Sequence, residues 1–210
     1  MSSPGFQLQI VTVGDAPAAW SAAGFTVTDG VAWIGSTAIV CTDDGSRGIR
    51  HVTIDGVAGD VDGLPVATVA VPARPVDLAE HPNVVSGFDH LVAMSPAMER
   101  TSAALQAAGL EHRRTRTFEV GGEMRRQDFF WLGDVILELV GLDGVEGDGP
   151  ATWWGLALEC ADLDLAAERL GDALGRVKTA VQPGRRIATV RTKDLGISVP
   201  IALMSPHPRD

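Results

Sequence analysis

The sequence predicts an α+β fold, and three observations carry that reading. A pattern of strand, helix and further strands recurs along the chain, its helices stop at the same Ala-Ala-Gly tripeptide in two places, and its hairpins turn at a glycine. Each repeat is one supersecondary unit that cannot bury its apolar face alone, so the units must share sheets and a core.

The first copy opens on Leu8-Gln9-Ile10-Val11. A short helix ends at Ala22-Ala23-Gly24, and Ala32 to Val40 reads as two apolar strands around Gly35. Glycine stops a helix because it accepts the left-handed conformation. The middle copy is the best marked. Phe88-Asp89-His90-Leu91-Val92 is its first strand. Ser95 and Pro96 suit a helix start, and Met98, Leu105 and Ala108 form a helical stripe before Ala107-Ala108-Gly109. Arginine-rich alternating strands follow. Phe130-Trp131-Leu132 then turns at Gly133-Asp134 into Val135-Ile136-Leu137-Glu138-Leu139-Val140. The third copy has a strand from Trp153 to Cys160, helical periodicity from Leu163 to Leu174 stopped by Gly175, and strands at Ile187 to Arg191 and Ile197 to Met204. Between the first and middle copies, Val66 to Val71 reads as a strand and Pro72 to Ser86 as a segment crossing the surface. The expected organisation is a degenerate N-terminal module at 1–75, a linker at 76–86, and a domain at 87–210 holding modules 87–142 and 151–204.

Bulk properties limit the function. With 210 residues, 45% of them hydrophobic and 21% charged, the chain has the make-up of an ordinary globular protein with a real core. A net charge of −10 argues against nucleic acid or an anionic membrane as partner. Within that acidic chain Arg113, Arg114, Arg116, Arg125 and Arg126 cluster, which leaves room for a local anion site or for a solvated strand face. Cys41 and Cys160 are the only cysteines and sit in apolar runs, as small buried hydrophobes do. No apolar run approaches membrane-spanning length, and no charged and apolar leader opens the chain, so a cytoplasmic setting is expected. No Ser-His-Asp order, phosphate loop or Cys-X-X-Cys motif is present.

The chemistry concentrates in the middle copy. His90 on a first strand and Glu138 on a last one meet only if the sheet curls, and alternation puts Ile136, Glu138 and Val140 on one side. A buried glutamate needs a partner, which a histidine, an arginine or a metal would supply. Trp153 shares a face with Gly155, whose missing side chain would leave room for a flat ligand; Trp131 and Trp154 read as core. Arg185, in the turn Gln182-Pro183-Gly184-Arg185-Arg186, is a candidate clamp for a carboxylate or phosphate, as is Arg114. Glu159 is placed at the cleft rim or in solvent.

Taken together, Phe88 to Val92, the helix ending Ala107-Ala108-Gly109-Leu110, Trp131-Leu132-Gly133-Asp134 and Val135 to Leu139 resemble the glyoxalase/bleomycin-resistance/dioxygenase group, the vicinal oxygen chelate superfamily. The resemblance spans at least 87 to 204, and more weakly 6 to 42. It implies tandem βαβββ modules forming incomplete, cupped β-barrels with helices packed outside, and it allows a homodimer. It further implies a divalent metal (Zn, Mn, Fe or Ni) held by first-strand and last-strand residues, here His90 and Glu138, with Glu138 also the catalytic proton carrier. The third copy departs from that pattern. Aligning the helices puts Gly155 opposite His90 and Ala202 near the place of Glu138, and neither side chain can bind a metal. The first copy offers Gln9 as a ligand but Val40 in the place of Glu138, and His51 is a further candidate. Two readings follow. One is a small-molecule binding protein with an apolar cleft and an incomplete metal site, its ligand touched by His90, Trp153, Arg185 and Arg114. The other is a metal-dependent lyase, isomerase or dioxygenase using His90, Glu138 and Gln9 or solvent. A cup filled by its own side chains, in a structural partner protein, is a third.

Overall fold

The computed structural model describes residues 5–208, and their strands form two sheets. The first sheet holds β1 (Leu8–Val13), β2 (Val31–Ile34), β3 (Thr37–Cys41), β4 (Ile49–Ile54), β5 (Gly59–Val61) and β6 (Leu64–Val66) in the order β2-β3-β1-β4-β6-β5, with helix α1 (Pro17–Ala22) after β1. The second holds β7 (Val85–Met94), β8 (His112–Val120), β9 (Glu123–Leu132), β10 (Val135–Leu142), β11 (Thr152–Cys160), β12 (Lys178–Thr179), β13 (Arg186–Thr189) and β14 (Ile201–Met204). Its order is β12-β13-β14-β11-β7-β10-β9-β8, and α2 (Met98–Ala107) and α3 (Leu163–Leu170) follow the first strands of its two modules. This is the α+β arrangement the sequence predicts, with the larger sheet curled into a half-barrel.

The two modules of the larger sheet share one wiring. β7 pairs in parallel with β10, and β11 in parallel with β14, while β7 and β11 meet antiparallel at the centre. The smaller sheet repeats that wiring in miniature. β1 pairs in parallel with β3, β4 in parallel with β6, and β1 and β4 meet antiparallel, with β2 and β5 outside them. The N-terminal segment therefore contains two abbreviated strand groups, and only the first retains a helix.

Both sheets draw on one continuous core, in which Trp20, Leu64, Leu91, Phe130, Leu137 and Leu203 are buried. Polar ties cross the join. Trp153 Nε1 donates to Pro65 O at 3.0 Å, Ser198 N donates to Asp15 Oδ1 at 2.8 Å, and Asp62 accepts from Thr101 and, at 2.7 Å, from Arg100. No helix of the described residues is long and apolar enough to cross a membrane.

Three local expectations change. The strand expected over Val66 to Val71 is instead β6, Leu64–Val66, whose pairing with β4 is confined to Val52–Val66. Helix α3 stops at Leu170, with Gly171 at φ 51°, and Gly175 instead packs its backbone on β13, donating to Thr189 O at 2.8 Å. Helix α2 starts at Met98, and Ser95 tightens the turn before it by accepting from Ala97 N at 2.9 Å.

Candidate functional site

Because the larger sheet curls, residues from both of its edge strands, β8 and β12, line one cleft of about 660 Å3. Two tight hairpins fix what faces it. The β8–β9 turn is Gly121-Gly122, both with positive φ, as the two-residue hairpin turn that matches strand twist requires. The β9–β10 turn is Gly133-Asp134. Counting back from these turns pairs Arg114 with Phe129 and Phe129 with Glu138, and β10 then pairs Glu138 with Val92. One row of side chains thus runs across four strands on the cleft face. In the next row Arg116 pairs with Gln127.

His90 and Glu138 both line the cleft, as the sequence predicts. They are diagonal neighbours, since His90 pairs with Ile136 and Glu138 lies two residues on. Burial pushes the Glu138 carboxyl up, against the opposing influence of His90, a hydrogen bond from Gln127 Nε2 and the Arg116 charge. Gln127 Oε1 in turn accepts from Arg116 at 3.2 Å. Arg114 is held by stacking, its guanidinium carbon 4.5 Å from the centre of the Phe129 ring.

His90 is braced from behind. Its Nδ1 lies against Asp89 Oδ1 as an ion-pair contact, while Asp89 Oδ2 accepts from the Arg185 guanidinium. Burial pushes the Asp89 carboxyl up, but the contacts with His90 and Arg185 outweigh it and hold the group down at about 2. With Nδ1 engaged, His90 has only Nε2 to offer a ligand.

The other half of the cleft is mostly apolar, with Lys178, Thr179, Gln182 and Thr189 as its polar lining. Leu156 on β11 and Ile201, Ala202 and Met204 on β14 face the His90–Glu138 half, and Trp154 stands at the margin, 48% exposed.

Several predicted site residues lie elsewhere. Gln9 belongs to the smaller sheet and donates to Asp55 Oδ2 at 2.7 Å, so it does not join His90 and Glu138. Trp153 is buried against the N-terminal segment, and its neighbour Trp154 takes the place in the cleft. A bulge in β11, where Trp153 faces Ala93 but Gly155 faces Val92, shifts the alternation that helix alignment assumes. That register puts Ala157, not Gly155, opposite His90. The bare position at Gly155 admits backbone rather than ligand: a Cβ there would lie 2.8 Å from Pro200 O.

Arg185 is 1% exposed and is spent inside the protein, on Asp89, on Ser205 O at 2.7 Å and on His207 Nε2 at 3.1 Å. It braces the site and does not line the cleft. His51 lies on β4 of the smaller sheet, where burial and Arg50 lower its proton affinity. Glu159 accepts from Ser86 Oγ at 3.3 Å. Trp131, expected in the core, is 40% exposed beside Arg113. Cys41 and Cys160 are buried, and burial, with Asp15 and Asp43 nearby, pushes the Cys41 thiol up to about 12.

The lining residues that sequence reasoning missed are Arg116, Gln127, Phe129, Trp154 and Lys178. The first three were accessible through the two hairpin turns, which set the register from Gly121-Gly122 and Gly133-Asp134. Trp154 was hidden by the bulge.

A divalent metal does not fit this donor set. His90 Nε2 and the Glu138 carboxylate are two donors, the Gln127 amide is engaged with Arg116 and Glu138, and the facing strands bring no His, Cys, Asp or Glu side chain to the cleft. Among the described residues no group of three His, Cys, Asp or Glu side chains is arranged to hold a metal ion.

No protein-family model matches the sequence, and no curated protein matches it. Solved structures do match. A mutant of 4-hydroxymandelate synthase from Streptomyces coelicolor aligns with 99% of this chain and 94% of its own at 12% identity and a TM-score of 0.64. A catechol 2,3-dioxygenase aligns over 98% of this chain and 95% of its own at 13% identity and a TM-score of 0.53. A variant of homoprotocatechuate 2,3-dioxygenase from B. fuscum aligns over 98% and 73% at 11% identity and a TM-score of 0.55. These proteins are of the vicinal oxygen chelate superfamily, and the chain has that fold across both of its sheets.

Proposed function

We propose that the protein binds a small molecule in the cleft of the larger sheet and does so without a tightly held metal. The observation that carries this reading is the division of the cleft. One half offers a hydrogen-bonding set, the buried His90 with the half-buried Glu138 and Gln127, and the other offers mainly Leu156, Ile201, Ala202 and Met204. A pocket of several hundred Å3, mostly apolar with a few convergent polar groups, is what small-molecule sites share. Within it, Glu138 is the group suited to accept or hold a proton, because burial raises its proton affinity toward neutrality. His90, fixed by Asp89 and Arg185, presents Nε2 to the same space.

The test is a thermal-shift screen of flat aromatic fragments on protein treated with a chelator. Fragments are expected to raise the melting temperature of the wild type and to leave Ala202→Trp, whose indole would fill the floor, unchanged. Stabilisation seen only after divalent metal is added back would contradict the reading. It would favour instead a metal-dependent lyase, isomerase or dioxygenase built on His90 and Glu138.

A further inference from the structure

We infer that the ligand is a carboxylic acid with a flat apolar body, its carboxylate held at the lip of the cleft by Arg114 and Arg116. This rests on the cleft being a small-molecule site, and names what enters it.

The first ground is a local inversion of charge. The chain carries a net charge of −10, yet its cleft presents three permanent cations, Arg114, Arg116 and Lys178, and one carboxylate, Glu138. The cations stand at the two edges of the curled sheet, Arg114 and Arg116 on β8 and Lys178 on β12, so they flank the entrance. A positive mouth in an acidic protein attracts small anions.

The second ground is how the arginines are used. Arg113 pairs with Glu111, Arg125 with Glu123, Arg126 with Glu99 and Asp128, and Arg186 with Asp164. Among the described residues Arg114 and Arg116 make no ion pair with a carboxylate. They are nevertheless held in place. Arg114 lies over the Phe129 ring, and Arg116 lies 4.6 Å over the Phe118 ring with one nitrogen on Gln127. Stacking fixes a guanidinium through its face and leaves its in-plane N–H groups for an acceptor. Two such groups on alternate residues of one strand point to the same face, so that a carboxylate at the lip can accept from both.

The third ground is what lies beyond the lip. Phe129 continues inward from Arg114 in the same cross-strand row, and Trp154 stands at the margin of the same cleft. A flat body extending from the arginines would lie along that row and bring its far end to Glu138 and His90. A phosphate monoester shares the negative charge of a carboxylate but not its planar shape, so the two head groups can be told apart by experiment.

The experiment compares naphthoate, naphthamide and naphthyl phosphate, which share one body and differ in head group. Binding to chelator-treated protein is read by quenching of tryptophan emission, with Trp154→Phe identifying the reporter in the cleft. Naphthoate is expected to bind about tenfold more tightly than naphthamide, and to lose that advantage as salt is raised. The double variant R114Q/R116Q should erase the preference, so that acid and amide bind alike, and a circular dichroism spectrum matching the wild type shows that the variant is folded. Equal binding of the acid and the amide by the wild type would overturn the carboxylate assignment and leave the cleft reading standing. Tighter binding of naphthyl phosphate would overturn it too. Failure of all three probes would count against both.

Discussion

Strands β7 to β10 bring His90, Glu138, Gln127, Arg114 and Arg116 to the cleft, while β11 to β14 bring Leu156, Ile201, Ala202 and Met204, with Lys178 at the far edge on β12. The strands are wired alike, with a parallel first and last strand in each half. The backbone therefore does not decide which half does chemistry. Side chains do: the hydrogen-bonding trio His90, Glu138 and Gln127 sits in one half and is braced there by the other. Arg185 precedes β13 in the second half, and its guanidinium reaches Asp89 on β7 in the first. The apolar half thus contributes surface toward the ligand and, behind the sheet, the charge that orients His90.

The comparison is most exposed to changes at that brace. Arg185→Met leaves the Asp89 carboxylate buried with only His90 beside it, and breaking a buried ion pair from one side costs about 3–5 kcal/mol. Urea unfolding should show a loss of that size; a change under about 1 kcal/mol would mean the two halves are not tied there.

Acid gives the next largest effect. Asp89 is held at about 2 in the folded protein against an ordinary value near 3.8. Its contribution is present above the ordinary value and is lost as pH falls toward 2. That difference corresponds to about 2 kcal/mol. Asp89→Asn should show less acid sensitivity in that window.

Glu138 works in the opposite sense. The folded protein holds this proton more tightly than the unfolded chain does, so stability falls as pH rises from the ordinary carboxylate value through the raised one. Glu138→Gln should be more stable than the wild type at neutral pH and should lose that part of the pH dependence, as pH-dependent melting can show. Smallest of all is Gln9→Ala. An exposed hydrogen bond to Asp55 is lost, stability should stay within about 0.5 kcal/mol, and cleft binding should be untouched.

The fold was legible because it depends on periodicity and punctuation. Glycines 24, 35, 109 and 133 mark the same joints in the folded chain that they mark in the sequence, each at positive φ. His90 and Glu138 were legible because alternation on a curled sheet leaves them one face to share. Register was harder. A single bulge at Trp153–Gly155 exchanged the roles of two adjacent tryptophans, and pattern alone cannot see an extra residue in one strand. Arg185 was misread for a different reason. Its acid partner Asp89 lies 96 residues away, so nothing local distinguishes an internal brace from a surface clamp.

The claim that the two halves of the cleft differ in kind rests on a metal donor set that stops at His90 and Glu138. Metal stoichiometry tests this directly, with protein equilibrated in turn with Zn, Mn, Fe and Ni, desalted and analysed by mass spectrometry. Bound metal well below one equivalent is expected for each ion, with no difference between the wild type and His90→Ala. One equivalent retained by the wild type and lost in His90→Ala would contradict it.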